Sequence, residues 1–480
     1  MVSTGSPKHS AHMHKFTQDN RLIAVRTPLD KDDLLLESFS AQEKISGLFI
    51  VQLDLLAENE TDIPFEKLLG QEATVELRLP QNRKRHFSGI ISRFSQGTRD
   101  TVFTKYRAEL VPKFWLLTRS AQSRIFPGSS SPLSVPKILE KVLEAINPTH
   151  DFDGNFEPRN YCVQYRETDF NFASRLMEEE GMYYFFKHGP NSHEMIVTNK
   201  SQTHPAVDSP SAVIYDTAGS VPLKPDRIST WTKTQELRSD RYTLWDDSFQ
   251  LPGKNLEASK ETVESVPVGK TTVHKLKLDV NKYIEIYDYP GEYAWRFDGI
   301  DKGGGEVPQE LEKISTDKNG KADNTRTVEI RMEAETLPSL IIRGASTCGQ
   351  FLPGHIFTLQ RHFNADGDYM LTAVQHCASV GSAYRTGDSS GSIYHNTFTC
   401  IPSRLAFRPL RLTPKPTIQG TQTAVVVGPK GNEIFTDKFG RVKVQFHWDR
   451  EGQNDPDSSC WIRVGKFGPG NGGELPFGRA

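Results

Sequence analysis

Residues 44–56 read KISGLFIVQLDLL, and their alternation decides the fold class. Phe49, Val51 and Leu53 fall on one face, Ile50 and Gln52 on the other. That is the period-2 pattern of a strand with one side in a core. Working outward, ATVELRLP (Ala73–Pro80) and FSGIISRF (Phe87–Phe94) repeat the pattern between polar turn segments. Strands at this spacing predict a barrel or sandwich.

Two helices interrupt the strands. In SVPKILEKVLEAINP, Ser134 is the expected cap, Pro136 suits the first turn, and Ile138, Leu139, Val142, Leu143 and Ile146 form one apolar stripe that Pro148 ends. In ETDFNFASRLMEEEGM, Thr168 is the expected cap, Phe172, Ala173, Leu176 and Met177 face inward, and Gly181 stops the helix. MYYFFKH (Met182–His188) is an aromatic, β-prone strand.

From about 205 to 395 short strands return: YIEIYDYPGEY (Tyr283–Tyr293), TVEIRMEAE (Thr327–Glu335), HIFTLQRHF (His355–Phe363) and YMLTAVQHC (Tyr369–Cys377). PSRLAFRPLRLTPKP (Pro402–Pro416) is basic and punctuated by proline, which reads as an extended linker. In EIFTDKFGRVKVQFHWDREG, Val442, Val444, Phe446 and Trp448 are expected to face a core, with Arg441, Lys443, Gln445 and His447 facing water. The chain is therefore predicted to be mainly β with a small α/β insert. The expected units are a disordered tail (1–15), a barrel (16–120), the insert (121–200), a second barrel (201–400), a linker (401–418) and the start of an OB-like barrel (419–464).

Composition limits the function classes. Against 60 acidic residues stand 58 basic ones, a net charge of −2, which provides no general attraction to nucleic acid or anionic membrane. The five cysteines, Cys162, Cys348, Cys377, Cys400 and Cys460, are scattered without a CxxC pair, so a reducing compartment fits better than a disulfide framework. The polar start MVSTGSPKHSAHMHKF has no apolar signal region, and no run of about 18 apolar residues is present. Export, if it occurs, is expected to be of the folded chain through a dedicated machine.

Candidate chemistry resolves into structural readings. Glu178, Glu179 and Glu180, with Glu167 and Asp169, crowd a helix C-terminus and oppose its dipole, so compensation by Arg166, Arg175 or a neighbouring subunit is expected rather than acid–base catalysis. His9, His12 and His14 lie in a tail without fixed geometry, and His376–Cys377 and His447 with Cys460 lack zinc spacing. GASTCG (Gly344–Gly349) has Cys348 where a nucleophile elbow needs glycine. VGKTT (Val268–Thr272) has Glu264 where a phosphate loop needs glycine, and DKGGGE (Asp301–Glu306) is a turn. Trp448 and Trp461, interleaved with Arg441, Lys443 and Arg463, suggest a single-strand nucleic-acid face, but alternation puts Trp448 on the apolar side of its strand and the net charge is not basic, so a place in a barrel core is expected. No catalytic, cofactor or metal residue is expected.

Several segments resemble the VgrG family of type VI secretion spike proteins in order and spacing. FTQDNRLIAVRTPL (Phe16–Leu29) resembles its opening strand; YRAELVPKFWLLTRSAQSRIF (Tyr106–Phe126) and CVQYRETDFNFASRLMEEEGMYYFFKH (Cys162–His188) resemble its hub. YDYPGEY (Tyr287–Tyr293) and LPGHIFTLQRH (Leu352–His362) resemble its second barrel, while GRVKVQFHWDREG and SSCWIRV (Ser458–Val464) resemble its OB-fold. The resemblance implies two β-barrel hub domains like those of phage tails over 16–400, followed by an incomplete OB-fold. It also implies a homotrimer, docking on the Hcp tube and baseplate, effectors and a PAAR tip carried beyond a C-terminal needle, no enzyme activity, and residence in the cytoplasm until firing. Alternatives are a hub of a phage-type or extracellular contractile device, or a relative whose effector domain lies downstream. The chain departs from the family after Val464, where GKFGPGNGGELPFGRA (465–480) replaces the expected strands. Back-translated one frame over, this tail permits QVWAGKRWGASFWPR, close to the family's continuation. A one-nucleotide deletion near codon 465 and an aberrant, disordered tail are therefore expected, and the gene's nucleotide sequence decides the point.

Overall fold

The computed structural model describes residues 16–126, 133–217, 226–269, 272–297, 309–315, 322–381, 384, 391–432 and 435–465. The His9, His12 and His14 cluster, the DKGGGE turn, Lys270 and Thr271 of VGKTT, and the tail from 466 lie outside them.

Six strands begin the fold: β1 (Ile23–Arg26), β2 (Leu35–Lys44), β3 (Ile50–Glu58), β4 (Glu72–Arg78), β5 (Lys84–Arg99) and β6 (Phe103–Val111). They pair antiparallel in the order β1-β4-β5-β6-β3-β2. The alternation expected in KISGLFIVQLDLL is found: Phe49, Val51 and Leu53 are buried, and Ile50 and Gln52 are exposed.

The end strands β1 and β2 share no backbone ladder, and the buried side chain of Gln18 fills the seam instead. Its Oε1 accepts from the amides of Val25 (2.8 Å) and Leu36 (3.1 Å), and its Nε2 donates to the carbonyls of Val25 (3.2 Å) and Leu34 (3.1 Å). One amide side chain thus satisfies four buried backbone groups that would otherwise be unpaired. Gln18→Ala is expected to lower stability by about 2–3 kcal/mol, the scale for stranding buried polar groups. Chemical denaturation reads this out, and an unchanged midpoint would show that the seam is closed by other means.

After the insert, β12 (Ala212–Tyr215), β13 (Arg227–Gln235), β19 (Leu340–Ser346), β20 (Ile356–Gln360), β21 (Gly367–Ser379) and β22 (Ile393–Pro402) form a closed ring. The order is β21-β20-β12-β13-β19-β22, and β22 returns to pair with β21. Its interior is aromatic: Phe351 meets Phe357 at 4.9 Å and Phe398 at 5.2 Å, and Trp231 meets Tyr369 edge-on at 4.8 Å. The ring joins the first strands through β2, which pairs with β21 from Ser38↔Ser379 to Lys44↔Ala373.

The insert contains β7 (Ala121–Phe126), α1 (Val135–Val142), β8 (Thr149–Asp151), β9 (Cys162–Thr168), α2 (Asp169–Glu179), β10 (Tyr183–His188) and β11 (His193–Thr198). It shares one core with the first strands, where Phe49 meets Phe186 edge-on at 5.1 Å. Thr168 caps α2 as expected, its hydroxyl accepting from the amide of Asn171 at 3.1 Å. Gly181 takes a φ of 68° with the side chain of Ile330 against it, so both conformation and space favour glycine. Ser134 occupies the cap position of α1 but makes no side-chain cap bond, and the helix closes at Leu143, before Pro148.

The segment between β13 and β19 contributes β14 (Arg241–Leu244), β15 (Ala258–Glu261), the hairpin β16 (Ser265–Val268) and β17 (Thr272–Lys275), β18 (Glu285–Asp288) and α3 (Asp323–Thr336). Here TVEIRMEAE, expected to be a strand, is helix. Val328, Ile330, Met332 and Ala334 do alternate with polar residues, but Asp323, Asn324, Thr327 and Arg331 are buried as well. A helix enclosed on several sides lacks the one-sided stripe that marks helical period. Glu, Arg, Met and Ala, all good helix formers, then prevail.

Residues 403–423 turn at 403–405 and then run without helix or sheet ladder, but they do not run free: Leu405 and Phe407 are buried. Beyond them, β23 (Ala424–Val427) pairs with β24 (Lys443–Phe446). Three of the four residues expected on the wet face are instead buried, Arg441 and Lys443 at 3% exposed and Gln445 at 7%, while His447 is exposed as expected. Arg441 is held by Asp437 at 2.6 Å, and the Gln445 amide reaches the carbonyl of Asp449 at 3.0 Å. Turns fold back over these side chains, which alternation along one strand cannot register.

Candidate functional site

The acidic run of α2 proves to be the meeting point of three parts of the chain. Glu180 is 2% exposed and contacts Arg159 at 2.9 Å, Arg326 at 2.7 Å and Arg296 at 3.5 Å. Glu179 meets Arg159 at 2.6 Å, Arg411 at 3.8 Å and Arg175 at 3.9 Å. Arg175 also grips Glu167 at 2.7 Å, and Arg296 grips Asp323 at 2.6 Å. Glu178 turns to the extended segment, accepting from the amides of Leu412 and Thr413 (both 3.0 Å) and the Thr413 hydroxyl (2.8 Å).

Burial alone would raise these carboxyls, but the guanidiniums outweigh it. Glu179 is brought down to about 2, chiefly by Arg159, and Glu180 falls well below the carboxylate range under Arg296, Arg326 and Arg159. The expected compensation of the helix dipole therefore exists within one chain. Arg175 supplies part of it, as anticipated, and Arg159, Arg296, Arg326 and Arg411 supply the rest. Carboxylates shared among two or three arginines cross-link the elements that carry them. Arg408 adds a further tie from the extended segment, reaching Glu333 of α3 at 2.7 Å and the carbonyls of Gly181 (3.0 Å) and Asn199 (2.7 Å).

A second buried cluster, absent from the sequence reading, sits where the two sheets join. Glu43 of β2 meets Arg85 of β5 at 3.1 Å, His188 of β10 at 2.9 Å and His376 of β21 at 3.2 Å. The Ser88 amide donates to His188 Nδ1 at 2.9 Å, which leaves Nε2–H to donate to Glu43. His376 Nδ1 bonds the Tyr394 hydroxyl at 2.7 Å. Burial would raise Glu43, yet Arg85 and the His188 hydrogen bond hold it well below the carboxylate range; burial lowers His376 despite Glu43.

The remaining sequence candidates fall apart in space or into packing roles. His376 is buried while its neighbour Cys377 lies partly open on the other face of β21, and His447 is exposed. Among the described residues no group of three or more His, Cys, Asp or Glu side chains is arranged so that it could hold a metal ion. Cys348 is fully buried, and burial pushes its thiol up, away from a nucleophilic thiolate. Trp448 is not in a barrel core: its Nε1 donates to Gln422 at 2.9 Å and its ring packs on Tyr165 of the insert at 5.3 Å. Trp461 packs on Phe435 at 5.0 Å, with the Lys443 ammonium 5.0 Å over its ring. No helix among the described residues is long and apolar enough to cross a membrane.

A closed barrel is thus hydrogen-bonded to a second curled sheet, with internal ion clusters tying together the elements around them. The sequence matches the family model of the phage tail baseplate hub (GPD) over residues 42–382, and the chain belongs to that family. Among curated proteins it is similar to three type VI secretion system spike proteins of Pseudomonas aeruginosa. It is 33% identical to VgrG1b, 34% to VgrG1a and 34% to VgrG1c, over 96%, 96% and 97% of the chain. It spans 57%, 66% and 59% of their respective lengths. The fold is shared with the E. coli c3393 protein, a type VI secretion component described as structurally similar to the T4 phage tail proteins gp27 and gp5. That likeness has a TM-score of 0.59 at 18% identity and covers 92% of each chain. It is shared also with a chain of the half-lidded Francisella PdpA–VgrG complex, with a TM-score of 0.50 at 9% identity, covering 95% of this chain and 74% of that one.

Proposed function

We propose that the protein is the spike hub of a type VI secretion needle: a homotrimer that seats on the Hcp tube and baseplate and links them to a puncturing tip. The carrying observation is similarity across almost the whole chain to three spike proteins of one secretion system. In this reading residues 16–400 form the hub, with barrels over 16–120 and 201–400 and the insert over 121–200. Residues 401–418 lead to the spike base at 419–464. The protein performs no catalysis and needs no cofactor or metal; it transmits force, for which rigid cross-linked packing is suited. Its PAAR-type tip and effectors attach beyond the spike base. It resides in the cytoplasm at the baseplate and leaves the cell on firing, with no nucleic-acid partner and no membrane anchor. Where this gene is the sole spike gene of its cell, deleting it is expected to abolish release of Hcp into the medium, and complementation to restore it. Undiminished Hcp release would overturn the proposal.

A further inference from the structure

Arg331 lies near the middle of α3 and is 8% exposed. Its neighbours Arg159, Arg296, Arg326 and Arg411 are each matched to carboxylates. Arg331, among the described residues, has neither an ion pair nor a hydrogen bond. Its guanidinium donors meet no acceptor, so hydrogen-bonding capacity is left unused on a largely buried side chain. Burial, with the nearby charge of Arg411, brings its pKa down to about 10, while Glu179, Tyr242 and Glu292 act in the opposite sense.

The same side chain lines a cavity of about 70 Å³, bounded by Arg159 and Glu179 of the insert, Trp295, Arg296 and Thr327 beside it, and Lys415 of the extended segment. Four cations, Arg159, Arg296, Arg331 and Lys415, face two carboxylates, Glu179 and Glu292. Both carboxylates are already engaged: Glu179 by Arg159 at 2.6 Å, and Glu292 by Arg411 at 2.7 Å and Lys415 at 3.3 Å. Arg159 and Arg296 are matched in turn by Glu180 and Asp323 outside the cavity wall, so the charge left without a bonded partner in the pocket is that of Arg331. Its volume admits one phosphate or one carboxylate group and is well short of the roughly 300 Å³ or more of pockets that bury larger organic ligands.

We propose that this cavity binds a small oxyanion, of the phosphate or carboxylate class, on Arg331 with Lys415 at its mouth. An occupant there joins the insert, α3 and the extended segment through one charge-assisted set of hydrogen bonds. A free phosphate and a carboxylate presented by a partner chain share this chemistry, and two probes separate them.

Isothermal titration of the whole chain with inorganic phosphate, and in parallel with acetate, at constant ionic strength in chloride, is the test. Saturable binding of at least one probe is expected, at one site per chain. Phosphate alone points to a free ion, and acetate to a carboxylate from a partner chain. Arg331→Gln is expected to weaken binding about tenfold or more, as loss of a charge-assisted contact does, and Lys415→Gln to weaken it less. If Arg331→Gln does not fold, the Lys415→Gln variant, whose parent side chain is 48% exposed, carries the comparison. Absence of binding by both probes, or unchanged affinity in the variants that fold, overturns the proposal.

Discussion

Glu180→Ala is expected to lower the unfolding free energy by about 3–5 kcal/mol, the range for stranding charges in a buried ionic network. The wild-type carboxylate neutralises parts of Arg159, Arg296 and Arg326, none of which is freely solvated. Removing it leaves these guanidiniums close together, with Glu179 and Asp323 to share between them. The contrast is Glu140→Ala, which breaks the exposed Lys137–Glu140 pair at 2.8 Å and is expected to cost well under about 1 kcal/mol. Urea unfolding followed by tryptophan fluorescence compares the two. Similar losses for both would mean that the cluster is solvated and does not hold the insert to α3.

The second large effect is expected at Glu43, both on substitution and on acidification. Glu43→Leu leaves Arg85 and His188 buried without their acceptor, and a loss of about 3–5 kcal/mol follows on the same reasoning. The pH dependence has a definite sign. Glu43 is depressed when folded, so its contribution is present above the ordinary carboxylate value of 4.5 and is lost as pH falls through the lower folded value. Burial also depresses His376, His355 (down to about 4) and His193 (down to about 3, with His188 adding to it). Each histidine favours folding fully above 6.5 and loses that contribution as pH drops toward its folded value. The slope is about 1.4 kcal/mol per pH unit for each group while the unfolded form alone is protonated. Stability measured from pH 7.5 to about 3 should therefore fall steeply below about 6.5, with Glu43 adding to the loss below 4.5. A flat profile across that window would show that these rings are open to water.

Much of the architecture was legible because it rests on local pattern. Alternation in residues 44–56 placed Phe49, Val51 and Leu53 correctly inward, and Thr168 and Gly181 marked the ends of α2 as found. Pattern failed where the environment is not one-sided. The helix over Asp323–Thr336 is enclosed on several sides, and turns bury the polar side of Lys443–Phe446. The ionic clusters were half legible: three consecutive glutamates at a helix end required compensation. Their partners, Arg296, Arg326 and Arg411, lie more than 100 residues away in sequence and carry no periodic signal. Glu43, His188 and His376 each sit inside an ordinary strand, and only the joining of the two sheets brings them together.

The hub account stands most directly on subunit number. Mass photometry of the purified protein is predicted to show a species of three times the 54.1 kDa chain. A single-chain species that persists as concentration is raised would contradict it.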